Sequence, residues 1–126
     1  LTSDYFTVAD EEIAVLVQIE TAGALSRLEE IAAVPGVDGV FIGPSDLSAS
    51  MGFLGRPGAG EVQAVLEKAA ARIIAAGKAP GILATNAADA LRYRGWGYRF
   101  IAGAVDIGLL LAGARAVLAD MKGGTP

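Results

Sequence analysis

Two carboxylates occupy equivalent places in this chain. Glu20 closes the apolar run Ala14-Val15-Leu16-Val17-Gln18-Ile19, and Asp46 follows Gly39-Val40-Phe41-Ile42-Gly43-Pro44-Ser45. Such near-continuous Val/Ile/Leu runs are the mark of parallel strands covered on both faces, and ligands of such sheets gather beyond the carboxyl ends of the strands. Two acids at matching strand ends, in a sequence with no histidine and no cysteine, point to a hard divalent cation held by oxygen ligands. Each acid alone has a plainer reading. A glutamate before a helix complements the positive end of its dipole, and Gly-Pro-Ser-Asp-Leu-Ser over 43–48 also describes a tight turn into a helix capped by Asp46 or Ser48. The pairing favours the site.

Other side chains add to or subtract from this chemistry. Pro44 fixes a turn whose following amides can cradle an anion, and a substrate carboxylate would fit there, although the favoured reading of these residues alone is that the amides simply begin the next local turn. Arg56 could reach a second carboxylate, but a loop arginine is usually solvated. The alternation Arg92, Tyr93, Arg94, Trp96, Tyr98, Arg99 resembles a base-stacking surface; a helix end packed by Trp96 explains it more simply. Lys78 precedes a strand, at the end away from the site, which argues against a Schiff base. With no histidine, proton transfer falls to a carboxylate, a perturbed lysine, a metal-bound water or another chain.

The elements that must position these groups alternate regularly. Strands are predicted over 14–20, 37–43, 79–85 and 99–105. Between them lie a helix capped by Thr21 and stopped at Pro35-Gly36, a long glycine-rich loop over 48–60, and a helix over 61–76 with Val62, Val65, Leu66, Ala69 and Ile73 as its buried stripe. A short helix capped by Asn86 runs through Tyr93 to Gly95-Trp96-Gly97, and a last helix capped by Asp106 runs through Met121, apolar on more than one face. Four successive strand-helix units impose an α/β fold with a parallel sheet. A complete (β/α)8 barrel takes about 250 residues, roughly 31 per unit. The 126 residues here therefore read as one domain, residues 1–126, equal to half a TIM barrel.

Composition narrows the partners. A net charge of −4 without a basic run argues against nucleic acid. The apolar stretch 107–118 is interrupted by Arg115 and is short of the roughly 20 residues that span a bilayer. The start, Leu1-Thr2-Ser3-Asp4-Tyr5, lacks a leader pattern and an initiator methionine and reads as an internal start. The absence of cysteine fits a cytoplasmic protein.

Leu16-Val17-Gln18-Ile19-Glu20-Thr21, Gly36 to Ser48 and Met51-Gly52 together resemble the HpcH/HpaI family of class II pyruvate aldolases. The likeness continues through Glu61-Val62-Gln63, Ala75 to Lys78 and Gly81 to Leu83 to the helix at Asp106, and implies the carboxyl-terminal half of that family's barrel. It implies Glu20 and Asp46 as ligands of Mg²⁺, Mn²⁺ or Co²⁺, which chelates a 2-oxo acid such as pyruvate or its mimic oxalate. Gly43, Pro44, Ser45 and Asp46 would receive the substrate carboxylate through the Ser45 and Asp46 amides, and Leu83 would border the aldehyde side. The reaction implied is retro-aldol cleavage of 4-hydroxy-2-oxo acids. No catalytic acid or base lies in this chain: the family's arginine and histidine belong to the half that is absent, and Ala59-Gly60 stands where a His-Pro pair is common. The family's last helix packs on a neighbouring subunit, implying a homo-oligomer. Two rival readings are a non-catalytic half-barrel or oligomerisation module, and a lyase for acyl-CoA substrates of the citrate lyase type; the 43–48 motif favours the free 2-oxo acid.

Overall fold

The structure is a computed structural model and describes residues 3–123. Four strands form one parallel sheet in the order β1-β2-β3-β4: β1 Leu16–Ile19, β2 Gly39–Ile42, β3 Ala79–Leu83 and β4 Phe100–Ala102. Helices α1 Tyr5–Glu12, α2 Ala22–Ser26, α3 Leu28–Ala32, α4 Pro44–Ser50, α5 Gly60–Ala75, α6 Ala87–Gly95 and α7 Asp106–Met121 fill the connections. The expected alternation is present, with strands shorter than the apolar runs because ladder bonds form only where a neighbour runs alongside.

Local chemistry explains both agreements and departures. Thr21 Oγ1 accepts from the Ala24 N–H at 3.1 Å and Asn86 Oδ1 from the Asp89 N–H at 2.9 Å, so both predicted caps hold. The predicted helix after Thr21 is two helices, separated at Arg27. Ser26 Oγ donates to the Gly23 carbonyl at 2.7 Å, the kind of back-bond that bends helices. Residues 44–50, which overlap the predicted loop, form α4, with Gly43 as its cap and Pro44 in its first turn. Proline's fixed φ is pre-organised for that place, so neither Asp46 nor Ser48 is the cap. Val105, not Asp106, caps α7, and Asp106 Oδ1 accepts from the Ile107 N–H. Helix α1 is additional to the predicted elements; its N-cap, Asp4, makes no side-chain cap bond.

The core lies between one sheet face and helices α3, α5 and α6. Ile19, Val40, Ile42 and Ile82 are buried with Leu28, Ala32, Leu66 and Ile73. An ion pair braces the outside: Arg72 of α5 donates twice to Glu29 of α3, both bonds 2.6 Å. Those bonds hold the Glu29 carboxyl at about 2 instead of 4.5. Because the folded value is depressed, the stabilisation is complete above pH 4.5 and is lost as pH falls towards 2. A Glu29→Gln variant should melt below the parent above pH 4.5, and the gap in Tm should close as the pH approaches 2.

The opposite sheet face carries Leu16, Gln18, Phe41, Leu83 and Phe100 and is largely open. Phe41 and Phe100 meet edge to face with centroids 5.9 Å apart over Gly81, where a Cβ would come within 2.8 Å of the Phe41 ring. At Gly39 a Cβ would lie 2.7 Å from the Ala79 carbonyl oxygen, which belongs to backbone and cannot swing aside. Gly39→Ala should cost about 1–3 kcal/mol, read as a shift in the urea midpoint. Every residue of α7 is exposed, Leu110 to 69% and Leu109 to 64%. The chain exposes 8314 Å² in all, where a compact monomer of its 12.8 kDa mass exposes about 6,300 Å².

Candidate metal and substrate site

Parallel pairing sets Glu20 beside Gly43, three residues before Asp46. Ile19 is in register with Ile42, so the next residues, Glu20 and Gly43, leave the sheet together, and the Gly43 N–H donates to the Ile19 carbonyl at 3.1 Å. Glu20 turns its carboxylate across Gly43: a Cβ there would lie 3.1 Å from Glu20 Oε2 and 3.0 Å from Gln18 Nε2. The lack of a side chain at Gly43 leaves the space into which Glu20 reaches. Gln18 Nε2 donates to Glu20 Oε2 at 2.5 Å, aiming the carboxylate without neutralising it. Asp46 follows in the first turn of α4, exposed to solvent.

Among the described residues no group of three or more acidic, histidine or cysteine side chains gathers as a ready-made metal cage. Two carboxylates with open surroundings fit a cation that keeps several waters and takes its remaining ligands from a substrate, as Mg²⁺ does. The residues therefore suit a hard divalent ion completed by a chelating ligand and do not suit a closed structural site.

A second feature adjoins the first. Pro44, Ser45 and Leu83, three of the expected substrate residues, line one cavity of about 50 Å³ together with Pro57, Gly58, Gln63 and Tyr93. Glu20, Gly43 and Asp46 are not among the residues lining it. Ser45 and Asp46 lie in the first turn of α4, where backbone N–H groups have no partner within the helix. Among the described residues neither amide donates a bond outside the helix.

The remaining sequence candidates take structural places. Arg56 lies over the Phe53 ring, 5.3 Å from its centroid. Lys78 Nζ donates to the Val37 carbonyl at 2.7 Å, at the amino end of the strands and away from the site. Trp96 packs on Tyr93 with centroids 5.4 Å apart, closing the end of α6 as the plainer reading has it. Gln63 carries more than its place in the motif foretold: it is buried and bonds Pro57, Tyr93 and Arg92. The signal that marks it is a polar residue inside the apolar stripe of α5.

Four parallel β/α units, with their acidic side chains beyond the strand ends, define this chain as half of a barrel-type α/β protein. The chain belongs to the HpcH/HpaI aldolase/citrate lyase family, whose sequence pattern matches residues 3–112. It is 52% identical over 120 residues to a hydroxypyruvate/pyruvate aldolase of Cupriavidus necator, covering 95% of this chain and 45% of that protein. It is 55% identical over 116 residues to a 4-hydroxy-2-oxo-heptane-1,7-dioate aldolase of Salmonella paratyphi A, covering 92% of this chain and 44% of that protein. Among solved structures, an HpcH/HpaI aldolase/citrate lyase family protein from Burkholderia cenocepacia J2315 superposes with a TM-score of 0.86 at 40% identity, over 95% of this chain and 47% of the other. The chain thus spans about half the length of the relatives it matches.

Proposed function

We propose that this chain is the metal-binding half of a class II pyruvate aldolase, a carbon–carbon lyase that cleaves 4-hydroxy-2-oxo acids to pyruvate and an aldehyde. The observation that carries the reading is the Glu20 carboxylate, held by Gln18 across Gly43 at the head of the turn that bears Asp46, in a chain of this family. Glu20 and Asp46 would hold Mg²⁺, Mn²⁺ or Co²⁺. Such an ion, when bound, supplies Lewis acidity at a chelated carboxylate and keto oxygen.

In the cleavage, a base removes the proton of the C4 hydroxyl, the C3–C4 bond breaks to release the aldehyde, and the electron pair passes to the pyruvate enolate, which is then protonated at C3. The Ser45 and Asp46 amides would orient the substrate carboxylate, and Leu83 would face the departing aldehyde. The base and the arginine that meets the keto oxygen would come from the half this chain lacks. The apolar surface of α7 suits a neighbouring copy, so a homo-oligomer belongs to the proposal, as does a cytoplasmic setting. No helix among the described residues is long and apolar enough to cross a membrane.

Calorimetric titration of Mn²⁺ into this chain, with and without oxalate as enolate mimic, tests the reading. Oxalate should tighten Mn²⁺ binding, since chelation fills positions the protein leaves to water. A folded sample that binds Mn²⁺ equally well with and without oxalate, or not at all, would overturn the assignment of a 2-oxo acid half-site to this chain.

A further inference from the structure

The segment from Met51 to Ala59 joins α4 to α5 and includes two glycines at positive φ, Gly52 at 87° and Gly55 at 71°. Its internal bonds are short-range: Phe53 N–H to the Ser48 carbonyl, Arg56 N–H to the Phe53 carbonyl, and Ala59 N–H to the Arg56 carbonyl. One side chain reaches it from a helix. Gln63 Nε2 donates to the Pro57 carbonyl at 2.9 Å and to Tyr93 Oη at 3.2 Å, while its Oε1 accepts from Arg92 Nη1 at 3.1 Å. Arg92 is itself paired with Asp89, and Asp89 Oδ2 accepts from Asn86 Nδ2 at 2.7 Å. A polar chain therefore runs from the cap of α6, through Gln63, to the loop.

Pro57 and Gly58 form a wall of the cavity that also holds Ser45 and Leu83. We infer that Gln63 is a positioning residue that clamps the 51–59 loop to α6 and so sets the width of the substrate site on the Leu83 side. The inference rests on the aldolase reading for the identity of the ligand. The clamp works by donation. An amide at 63 can satisfy the Pro57 carbonyl and Arg92 together, whereas a carboxylate can accept from Arg92 but presents no donor to Pro57.

The test compares the chain with Gln63→Leu and Gln63→Glu, the second retaining an acceptor for Arg92. Loss of the clamp should speed hydrogen exchange at the Arg56 and Ala59 amides about tenfold in both variants. With Mn²⁺ present, affinity for oxalate, which has no chain beyond its two carboxylates, should stay within about twofold, while affinity for 2-oxopentanoate, whose longer chain would lie on the Leu83 side, should fall about tenfold. Unchanged exchange, exchange altered in Gln63→Leu alone, or equal losses for both ligands would overturn the proposal. The exchange measurement needs no ligand. Failure of the unsubstituted chain to bind oxalate would count against the aldolase reading and leave exchange to decide the clamp.

Discussion

Glu20→Gln and Asp46→Asn are each expected to weaken Mn²⁺ binding in the presence of oxalate by at least about a hundredfold, with the fold retained. Mutation of a partner outside the metal's own ligand set typically costs about 10–100-fold, and removal of a charged ligand from a two-carboxylate set should exceed that. Both substitutions are nearly isosteric, and both remove the negative charge that a hard cation requires. Asp46 is exposed and Glu20 half-buried, so neither variant leaves a cavity. The amide oxygen introduced by Glu20→Gln would still accept from Gln18. Calorimetry with circular dichroism separates lost binding from lost structure. Retention of binding within about tenfold in both variants would show that the cation sits elsewhere.

Tyr98→Ala is expected to destabilise the chain by about 3–5 kcal/mol, the range of large aromatic truncations in cores. Tyr98 is 2% exposed, stacks edge-on against Tyr93 with centroids 6.0 Å apart, and donates its hydroxyl to the Leu66 carbonyl of α5 at 2.8 Å. Burial pushes its phenol above the ordinary value and so keeps the group a donor. The ring joins α5 to the segment between α6 and β4, and so holds the last strand in place beside β3. Tyr98→Phe keeps the ring and should cost about 1 kcal/mol, the hydrogen bond alone. Urea unfolding of both variants measures the difference. Equal costs would mean that the hydroxyl, not the packing, carries the residue.

The periodicities of this sequence make the fold legible because they are local. Apolar runs bounded by Thr21, Pro35-Gly36, Gly77 and Asn86 mark strands and helices whatever the rest of the molecule does, and the side-chain caps expected of Thr21 and Asn86 are made. The errors lie where local signals compete. Ser26 breaks a helix from within by bonding back to Gly23, Pro44 starts a helix inside a segment rich in turn formers, and α1 has no side-chain cap bond to announce it. The apolar pattern of α7 calls for cover on two sides. All of the helix is exposed here, and that exposure explains much of the excess area.

By itself the sequence determined that four parallel strands would alternate with helices and that two acids would stand just beyond the first two strands, since strand period, turn residues and chain order suffice for that. Tertiary structure alone decided how Glu20 is held. The Ile19–Ile42 register brings Glu20 against Gly43, and the docking of α5 on α6 makes Gln63 a clamp on a loop six residues before it. Those relations depend on which backbone lies beside which, through contacts between residues distant along the chain, and no local pattern encodes them.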